Sequence, residues 1–412
     1  MPYDYGADGF VNWHSTFPTV LMALTYKVSG GVFAFTVVQA TLICVAMYGA
    51  LRAVIHPPAA VGWVVAFMAL PFNAFHLALH MPDALLLAGL MALTGLLAFR
   101  DAIERRYGVA LYLSVVFALL IICVWVRPNA AIIAPVVAWF CVDGFKRRMA
   151  AMVAALALCV TVLNLWDRML MVNKFDVSSV AMGAEIAGIS KLSGGRTCID
   201  CLDFVGNTAN ARANFNAIDV NGLLWSGDDG GLPSFKIGLR EHASEVRQLW
   251  LQSIIAEPVV YLKIKAQQAT ALLGFDGPLF FGSPPETGDP RTADMCGCDV
   301  RQHAVIWAAN RTYGAASELL GRPWLLFLLF ALALRFVPGT TPRVALIAYW
   351  LALAYYAGFL IQMQRVEFRY FYPSWGLLCL VFATTMHRTL LCKLHVANSG
   401  FKQGESQPSR GR

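Results

Sequence analysis

Four short stretches of the sequence place carboxylates, imidazoles, guanidinium groups and tyrosines beside apolar runs. A guanidinium group can bind a phosphate through two parallel hydrogen bonds, and a carboxylate can take a proton from a hydroxyl. If the four stretches meet on one membrane surface, they suit a reaction between a lipid-linked phosphate and a polar acceptor. The stretches contain Asp4, Asp8, Trp13 and His14; His76, His80 and Asp83; Arg127 and Asn129; and Gln362, Gln364, Arg365, Glu367, Arg369, Tyr370 and Tyr372.

Each of these candidates also has a purely structural interpretation. Arg127 and Arg369 could extend to lipid headgroups from an aromatic belt at the membrane surface. Asp83 could cap the helix that begins beside it. The other candidates could be interfacial histidines without metal-ligand spacing or acids of a solvated tail: His14, His76 and His80, and Asp4 and Asp8.

The composition indicates which solvent surrounds the elements that must position these residues. Hydrophobic residues make up 58% of the 412 residues, charged residues only 14%, and the mean hydropathy is +0.58. These values lie outside the usual range of soluble globular domains and predict a polytopic membrane protein. The net charge of +7 does not predict a nucleic-acid partner, because the basic residues cluster in short loops instead of forming a stripe with aromatics.

The apolar runs predict an all-α protein with about nine transmembrane helices. Each run is close to the length that crosses a bilayer, which is roughly 17 to 25 residues. The first ten residues are polar and acidic and lack the pattern of a cleavable signal peptide, so we expect insertion to rely on internal spans. The predicted spans are 31–51, 59–78, 82–99, 108–126, 129–144, 150–170, 322–337, 343–362 and 370–391.

The basic residues predict how these spans are oriented. Short loops rich in Lys and Arg stay in the cytoplasm. With nine spans and the N-terminus outside, every basic cluster falls on the cytoplasmic side together with the C-terminus. The clusters are Arg52; Arg100, Arg105 and Arg106; Lys146, Arg147 and Arg148; Arg335 and Arg343; and Arg388, Lys393, Lys402, Arg410 and Arg412.

The region between the sixth and seventh predicted spans is too polar for a membrane and too long for a plain loop. It carries a net charge of −4, whereas the rest of the chain carries +11, which agrees with an extracytoplasmic position. Its turn-rich stretches and one helical pattern predict a mixed domain with one or two helices near the membrane. We therefore expect a transmembrane module at 1–170, an extracytoplasmic domain at 171–321, transmembrane helices at 322–391 and a disordered basic tail at 392–412.

Four cysteines lie in the predicted extracytoplasmic domain. In an oxidising compartment they suggest two disulfides, with three possible pairings. The CxxC and CxC spacings leave a zinc site as the alternative. These cysteines are Cys198, Cys201, Cys296 and Cys298.

Four motifs resemble the GT-C superfamily of membrane glycosyltransferases, which includes protein O-mannosyltransferases and lipid A aminoarabinose transferases. The motifs are the acidic N-terminal stretch DYGADGFVNWHSTFP, the spans MPDALLLAGL and VRPNAAIIAP, and the late RYFYP. They cover the predicted membrane part. The family normally has a transmembrane helix before its first outside loop, whereas this sequence starts inside that loop.

The resemblance implies a transfer of sugar from a polyprenyl-phosphate donor to a hydroxyl of a glycan, lipid or protein acceptor, with inversion, at the outer face of a bacterial inner membrane. Asp4 or Asp8 would then be the catalytic base. The implied substrate-binding residues are His14, His80, Asp83, Arg127, Arg365, Arg369, Tyr370 and Tyr372. Whether a divalent cation, Mg²⁺ or Mn²⁺, takes part is open. A polysaccharide polymerase or ligase is the first alternative, and a transporter or membrane scaffold the second.

Overall fold

A computed structural model describes most of the apolar part of the chain and some of the region between residues 171 and 321. Two two-residue strands, β1 (Tyr5–Gly6) and β2 (Gly9–Phe10), pair in antiparallel fashion near the N-terminus. All other regular elements within the described residues are helices. The described residues are 5–6, 9–10, 16–31, 33–70, 73, 76–77, 82–170, 177–196, 211–213, 215–218, 239, 242–279, 316, 318–337, 341–361 and 368–404.

The longer helices follow the predicted apolar runs, with one addition at the N-terminus. That addition is α1, which the sequence did not predict and which contacts the second and sixth helices. In chain order the helices are α1 (Thr16–Ser29), α2 (Phe33–Leu51), α3 (Pro57–Met68), α4 (Pro82–Ala98), α5 (Arg100–Tyr107), α6 (Val109–Val126), a 3-10 helix (Pro128–Ile133), α7 (Ala134–Cys141), α8 (Phe145–Leu170), α9 (Val177–Leu192), α10 (Ala243–Ala256), α11 (Pro258–Leu273), α12 (Pro323–Phe336), α13 (Arg343–Ile361) and α14 (Phe368–Gly404).

Five described helices are long and apolar enough to cross a membrane, within α2, α6, α8, α13 and α14. A sixth span results if α4 and α5, which meet at an angle of 71°, count together. The protein is therefore a helical, multi-pass membrane-type chain. Nine spans stay a prediction, because three of the expected runs form helices of only 10–17 residues, whereas a straight crossing needs about 20. These shorter helices are Pro57–Met68, Pro128–Cys141 and Pro323–Phe336.

Helix α4 lies at the centre of the apolar bundle and contacts α2, α6, α7, α13 and α14. Most of its side chains are buried. Glycines permit this close packing, as small residues do between membrane helices. A Cβ at Gly95 would lie 3.3 Å from the Ala50 Cα of α2, and one at Gly89 only 2.6 Å from the Cys123 Sγ of α6. On the far side, Gly376 of α14 leaves room for Leu87.

Contacts between helix ends define two opposite ends of the bundle. At the first, Asp83 at the start of α4 contacts Arg127 just after α6, and Tyr372 near the start of α14 bonds Asn73 between α3 and α4. We call this the Asp83 end. Because successive helices run in opposite directions, the loops after α4, after α7 and before α13 lie at the other end.

At that other end, which we call the basic end, ion pairs join three loops. Arg100 at the start of α5 donates to Asp143 after α7 at 2.9 Å, and Arg148 at the start of α8 lies 3.7 Å from the same carboxylate. Arg343 at the start of α13 pairs with Asp101 at 3.3 Å. Three of the predicted cytoplasmic clusters are therefore neighbours in space.

Helices α9, α10 and α11 enclose a second, smaller apolar core inside the predicted extracytoplasmic region. A buried carboxylate, Glu185, forms an ion pair with Lys265 and accepts a hydrogen bond from the Trp250 indole at 2.7 Å. The C-terminal end of α11 joins the bundle, because Tyr356 of α13 donates to the Leu272 carbonyl oxygen at 2.5 Å. This second core therefore attaches near the Asp83 end.

The last helix extends past one expected boundary. The tail was predicted to be disordered from residue 392, but α14 continues to Gly404. The sequence continues the last span with Leu, Lys, His, Val and Ala, which favour a helix or tolerate one. The helix that contains the last apolar run can therefore continue beyond the end of that run. Residues 405–412 lie outside the described residues.

Candidate functional site

A buried ion pair forms the centre of the Asp83 end. Asp83 is fully buried, and both of its carboxylate oxygens accept hydrogen bonds from Arg127: from Nε at 3.0 Å and from Nη2 at 2.5 Å. The Arg127 side chain keeps 24% of its surface exposed. Arg127 is therefore less buried than its partner Asp83.

Two prolines explain locally why these side chains meet. Pro82 takes the first position of α4, where a missing N–H costs nothing, so Asp83 falls in the first turn, where the helix dipole favours a carboxylate. Pro128 disfavours helical geometry at the residue before it. Arg127 accordingly leaves α6 in an extended conformation, with φ −145° and ψ 112°. Among the described residues, the Asp83 carboxylate forms a bidentate ion pair with Arg127 instead of a helix cap.

A tyrosine hydroxyl without a hydrogen-bond partner lies beside this pair. Tyr355 of α13 is fully buried, and its hydroxyl bonds to no described residue. Asp83, Arg127 and Tyr370 are close enough to interact with it electrostatically. Because a buried polar atom without a partner costs about 1–3 kcal/mol, such an atom inside a charged cluster marks a place where a ligand can bind.

Arg369 and Tyr370, both predicted substrate-binding residues, lie at the start of α14. The Arg369 Nη2 donates to the Tyr370 hydroxyl at 3.0 Å, and its guanidinium carbon lies 4.9 Å from the centre of that ring. The Tyr370 ring packs 4.8 Å from that of Phe359. Arg369 thus contacts Tyr370, and Tyr370 in turn is close enough to interact electrostatically with Arg127 and Tyr355.

Tyr372 lies one turn deeper and is part of an aromatic and polar cluster. Its ring stacks on His76 with 3.9 Å between centroids and a 3° angle between planes. Its hydroxyl donates to the Asn73 Oδ1 at 3.0 Å, and the Asn73 amide donates to the backbone oxygen of Phe67. Tyr372 is fully buried and its hydroxyl is already bonded. We interpret it as a group that fixes His76 and the loop before α4.

The structure brings together five predicted residues at one end of the bundle: His76, Asp83, Arg127, Arg369 and Tyr370. Tyr372 lies in the same region, where its ring stacks on that of His76. The other predicted site residues lie outside the described residues. These are Asp4, Asp8, His14, His80, Arg365, Cys198, Cys201, Cys296 and Cys298.

Sequence reasoning missed Tyr355 and Asn73. Tyr355 lies within the uniformly apolar run ALIAYWLALAYYAGFLI, where its hydroxyl gives no periodic signal. The one available hint was the pair of adjacent tyrosines near the end of a span. Asn73 lies in the apolar stretch before α4, and an amide at the end of a membrane run is a comparable hint.

No group of three or more His, Cys, Asp or Glu that could hold a metal ion occurs among the described residues. At the Asp83 end the described carboxylate is already paired with Arg127, so it is a poor cation ligand. The arrangement is better suited to an anion. The Nη1 of Arg127 and the hydroxyl of Tyr355 bond to no described residue, and Arg369 brings a positive charge to the adjacent Tyr370.

The electrostatics of this cluster therefore favour one anionic oxygen at the open side of Arg127. The sequence suggested bidentate phosphate binding, but the pairing with Asp83 already occupies Nε and Nη2. Arg127 would contact a phosphate from the side, while Asp83 holds the guanidinium plane in place. Comparison with protein-family models, with curated proteins and with solved structures finds no match to this chain.

Proposed function

We propose that this chain is an integral membrane glycosyltransferase of the GT-C type. It would move a sugar from a polyprenyl-phosphate donor to the hydroxyl of a glycan, lipid or protein acceptor. The observation that carries the proposal is the cluster at the Asp83 end. There, a buried Asp83–Arg127 pair lies near a Tyr355 hydroxyl that bonds to no described residue, and Arg369 contacts the neighbouring Tyr370, where apolar helices end.

The position of the charges favours a transferase over a transporter. Asp83 is in the first turn of α4 and Arg127 follows the last turn of α6, so both lie at helix ends. Transporters bind substrates near the middle of the membrane, at interrupted helices. A lipid-linked substrate instead carries its phosphate at the membrane surface, where helix ends lie. Its polyprenyl chain would remain among the lipids beside the bundle.

The orientation is part of the proposal. The Asp83 end would face outside a bacterial inner membrane and the basic end the cytoplasm, because short basic loops stay inside. Nine crossings, with α3, α7 and α12 as short ones, would give this alternation with the N-terminus outside. The attachment of α11 to α13 near the Asp83 end supports an extracytoplasmic domain on the same side as the site.

In the proposed reaction the donor enters sideways from the outer leaflet, and Arg127, Tyr355 and Arg369 hold its phosphate. Asp4 or Asp8 takes the proton of the acceptor hydroxyl. The hydroxyl oxygen forms a bond to the anomeric carbon as the bond from that carbon to the phosphate oxygen breaks. Attack opposite the leaving group inverts the anomeric centre, and polyprenyl phosphate leaves with the electron pair.

Tyr355→Phe is the sharpest test of the binding cluster. The variant should keep or gain stability, because it removes a buried hydroxyl that has no partner among the described residues. It should raise the KM for a polyprenyl-phosphate donor in vesicles that also contain envelope extract as acceptor. The matched control is Tyr349→Phe in the same helix, whose hydroxyl donates to the Phe327 carbonyl oxygen at 3.2 Å. That variant should lose stability without any change in KM.

Unchanged donor kinetics in Tyr355→Phe would remove this tyrosine from the site. Absence of donor consumption by the unchanged chain, with hexose and pentose donors alike, would overturn the glycosyltransferase proposal itself.

The catalytic assignment needs its own experiment. Asp4→Asn and Asp8→Asn are made singly and compared with Asp101→Asn at the basic end, whose carboxylate is largely exposed and pairs with Arg343. One of the first two variants should lose transfer while donor binding persists, and the control should remain active. Full activity of both N-terminal variants would refute the assignment.

A further inference from the structure

The basic end carries more positive charge than its own acids can neutralise. Three described acids lie there, and each is already paired: Asp101 with Arg343, Glu104 with Arg100, and Asp143 with Arg100 and Arg148. Four further cations on the same loops form no ion pair with a described residue. These are Arg105, Arg106, Lys146 and Arg147, and all four are exposed.

The tertiary structure joins the two segments that carry these cations. Arg100 donates to Asp143 through two nitrogens, at 3.4 Å and 2.9 Å, which ties the start of α5 to the loop before α8. Helix α5 turns 71° away from α4 and has no buried residue. Arg105 and Arg106 follow Arg100 on α5, and Lys146 and Arg147 follow Asp143, so both pairs of cations lie close in sequence to the residues that this ion pair joins.

Exposed apolar side chains adjoin both pairs of cations. Arg105 and Arg106 are followed by Tyr107 and Val109, which are 55% and 53% exposed. Next to Lys146 lies Phe145, which is 70% exposed, and only 6% of the span that begins there is buried by the protein. Cations beside an open apolar surface match the boundary between phosphate headgroups and acyl chains.

We propose that the loop from α5 to α6 and the start of α8 together form a binding site for an anionic phospholipid. The phosphodiester would contact Arg105, Arg106, Lys146 and Arg147, and the acyl chains would lie against the exposed apolar faces of α6 and α8. We choose a lipid over a soluble phosphate because exposed apolar side chains directly adjoin each pair of cations in the chain. Clusters of Lys and Arg beside membrane helices bind such headgroups.

This site lies at the opposite end from the proposed active site, so the two can be tested separately. The purified chain is incorporated into phosphatidylcholine nanodiscs with and without phosphatidylglycerol, and the lipids retained on extraction are measured by native mass spectrometry. The unchanged chain should retain phosphatidylglycerol preferentially. The double variants R105Q/R106Q and K146Q/R147Q should each bind it about thirtyfold more weakly, as expected for the loss of two cations near an anionic surface.

The control removes the same charge elsewhere. Lys27 on α1 and Lys263 on α11 are exposed and form no ion pair with a described residue, so K27Q/K263Q should retain phosphatidylglycerol normally. Equal retention of both lipids by the unchanged chain would overturn the proposal. An equal loss of phosphatidylglycerol binding in the control variant and in the test variants would also overturn the proposal. Displacement of the lipid by millimolar inorganic phosphate would show that the site takes a soluble anion instead.

Discussion

Replacing Arg127 by Met tests the buried pair at the Asp83 end most directly. The substitution leaves the Asp83 carboxylate, which has no solvent exposure, without the two hydrogen bonds that satisfy it. Removing one partner of a buried ion pair typically costs about 3–5 kcal/mol, because an uncompensated charge remains inside. Removing the other partner by Asp83→Leu should lower the free energy of unfolding by less, about 1–3 kcal/mol. The reason is that Arg127 keeps 24% of its side chain exposed and can be hydrated there.

The double variant separates stability from function. With both charges absent no unpaired ion remains, and such replacements are often neutral or stabilising. D83L/R127M should therefore unfold close to the unchanged protein, and the double-mutant cycle should show coupling between the two sites. Its sugar transfer should nevertheless be lost, because the guanidinium group proposed to contact phosphate is missing.

The assay is the midpoint of thermal unfolding of each purified variant in a single detergent, followed by intrinsic fluorescence, with transfer activity measured on the same preparations. If Arg127→Met unfolds like the unchanged protein, the carboxylate does not depend on its partner and the reasoning fails. A double variant as unstable as the sum of the single ones would equally refute a coupled pair. Transfer by a stable double variant would leave the pair with a structural role only.

Three further outcomes follow from the contacts between helices. Gly95→Leu should lower stability by about 1–3 kcal/mol, because a Cβ at this position would already lie 3.3 Å from the backbone of α2. The control Gly49→Leu should change stability little, because no atom lies within 4 Å of a Cβ at that position. Tyr356→Phe should cost about 1 kcal/mol and speed hydrogen exchange in α11, which loses its bond to α13. Burial and the nearby Glu185 raise the pKa of Tyr261 to about 12. The neutral hydroxyl therefore stabilises the fold below pH about 10 and ceases to do so by about 12, and Tyr261→Phe should flatten that alkaline loss of stability.

The sequence predicted the class of fold well because hydrophobic content needs no knowledge of packing. Apolar runs locate helices in lipid, and every predicted run contains one. Three of these helices are nevertheless short. The helices beginning at Pro57, Pro128 and Pro323 are below the length of a straight span, so run length alone did not decide which of them cross.

Some residues of the candidate cluster were named from the sequence, but their pairing was not. Arg127 and Asp83 were identified separately, as a phosphate ligand and as a ligand or helix cap. They are 44 residues apart, and only the packing of α4 against α6 brings them within hydrogen-bond distance. Tyr355 could not be identified, because in a run of apolar residues a tyrosine carries no mark of where its hydroxyl lies.

By itself, the sequence determined that this chain needs lipid as its solvent and which stretches become helices, because both depend on composition and local order. It also determined where proline begins α4 and ends α6. The tertiary structure alone decided which charges neutralise each other, that the Tyr355 hydroxyl bonds to no described residue and which cations at the basic end are in excess. Those properties depend on distances between separate helices, and in this bundle glycines at the contact faces of α4 set those distances.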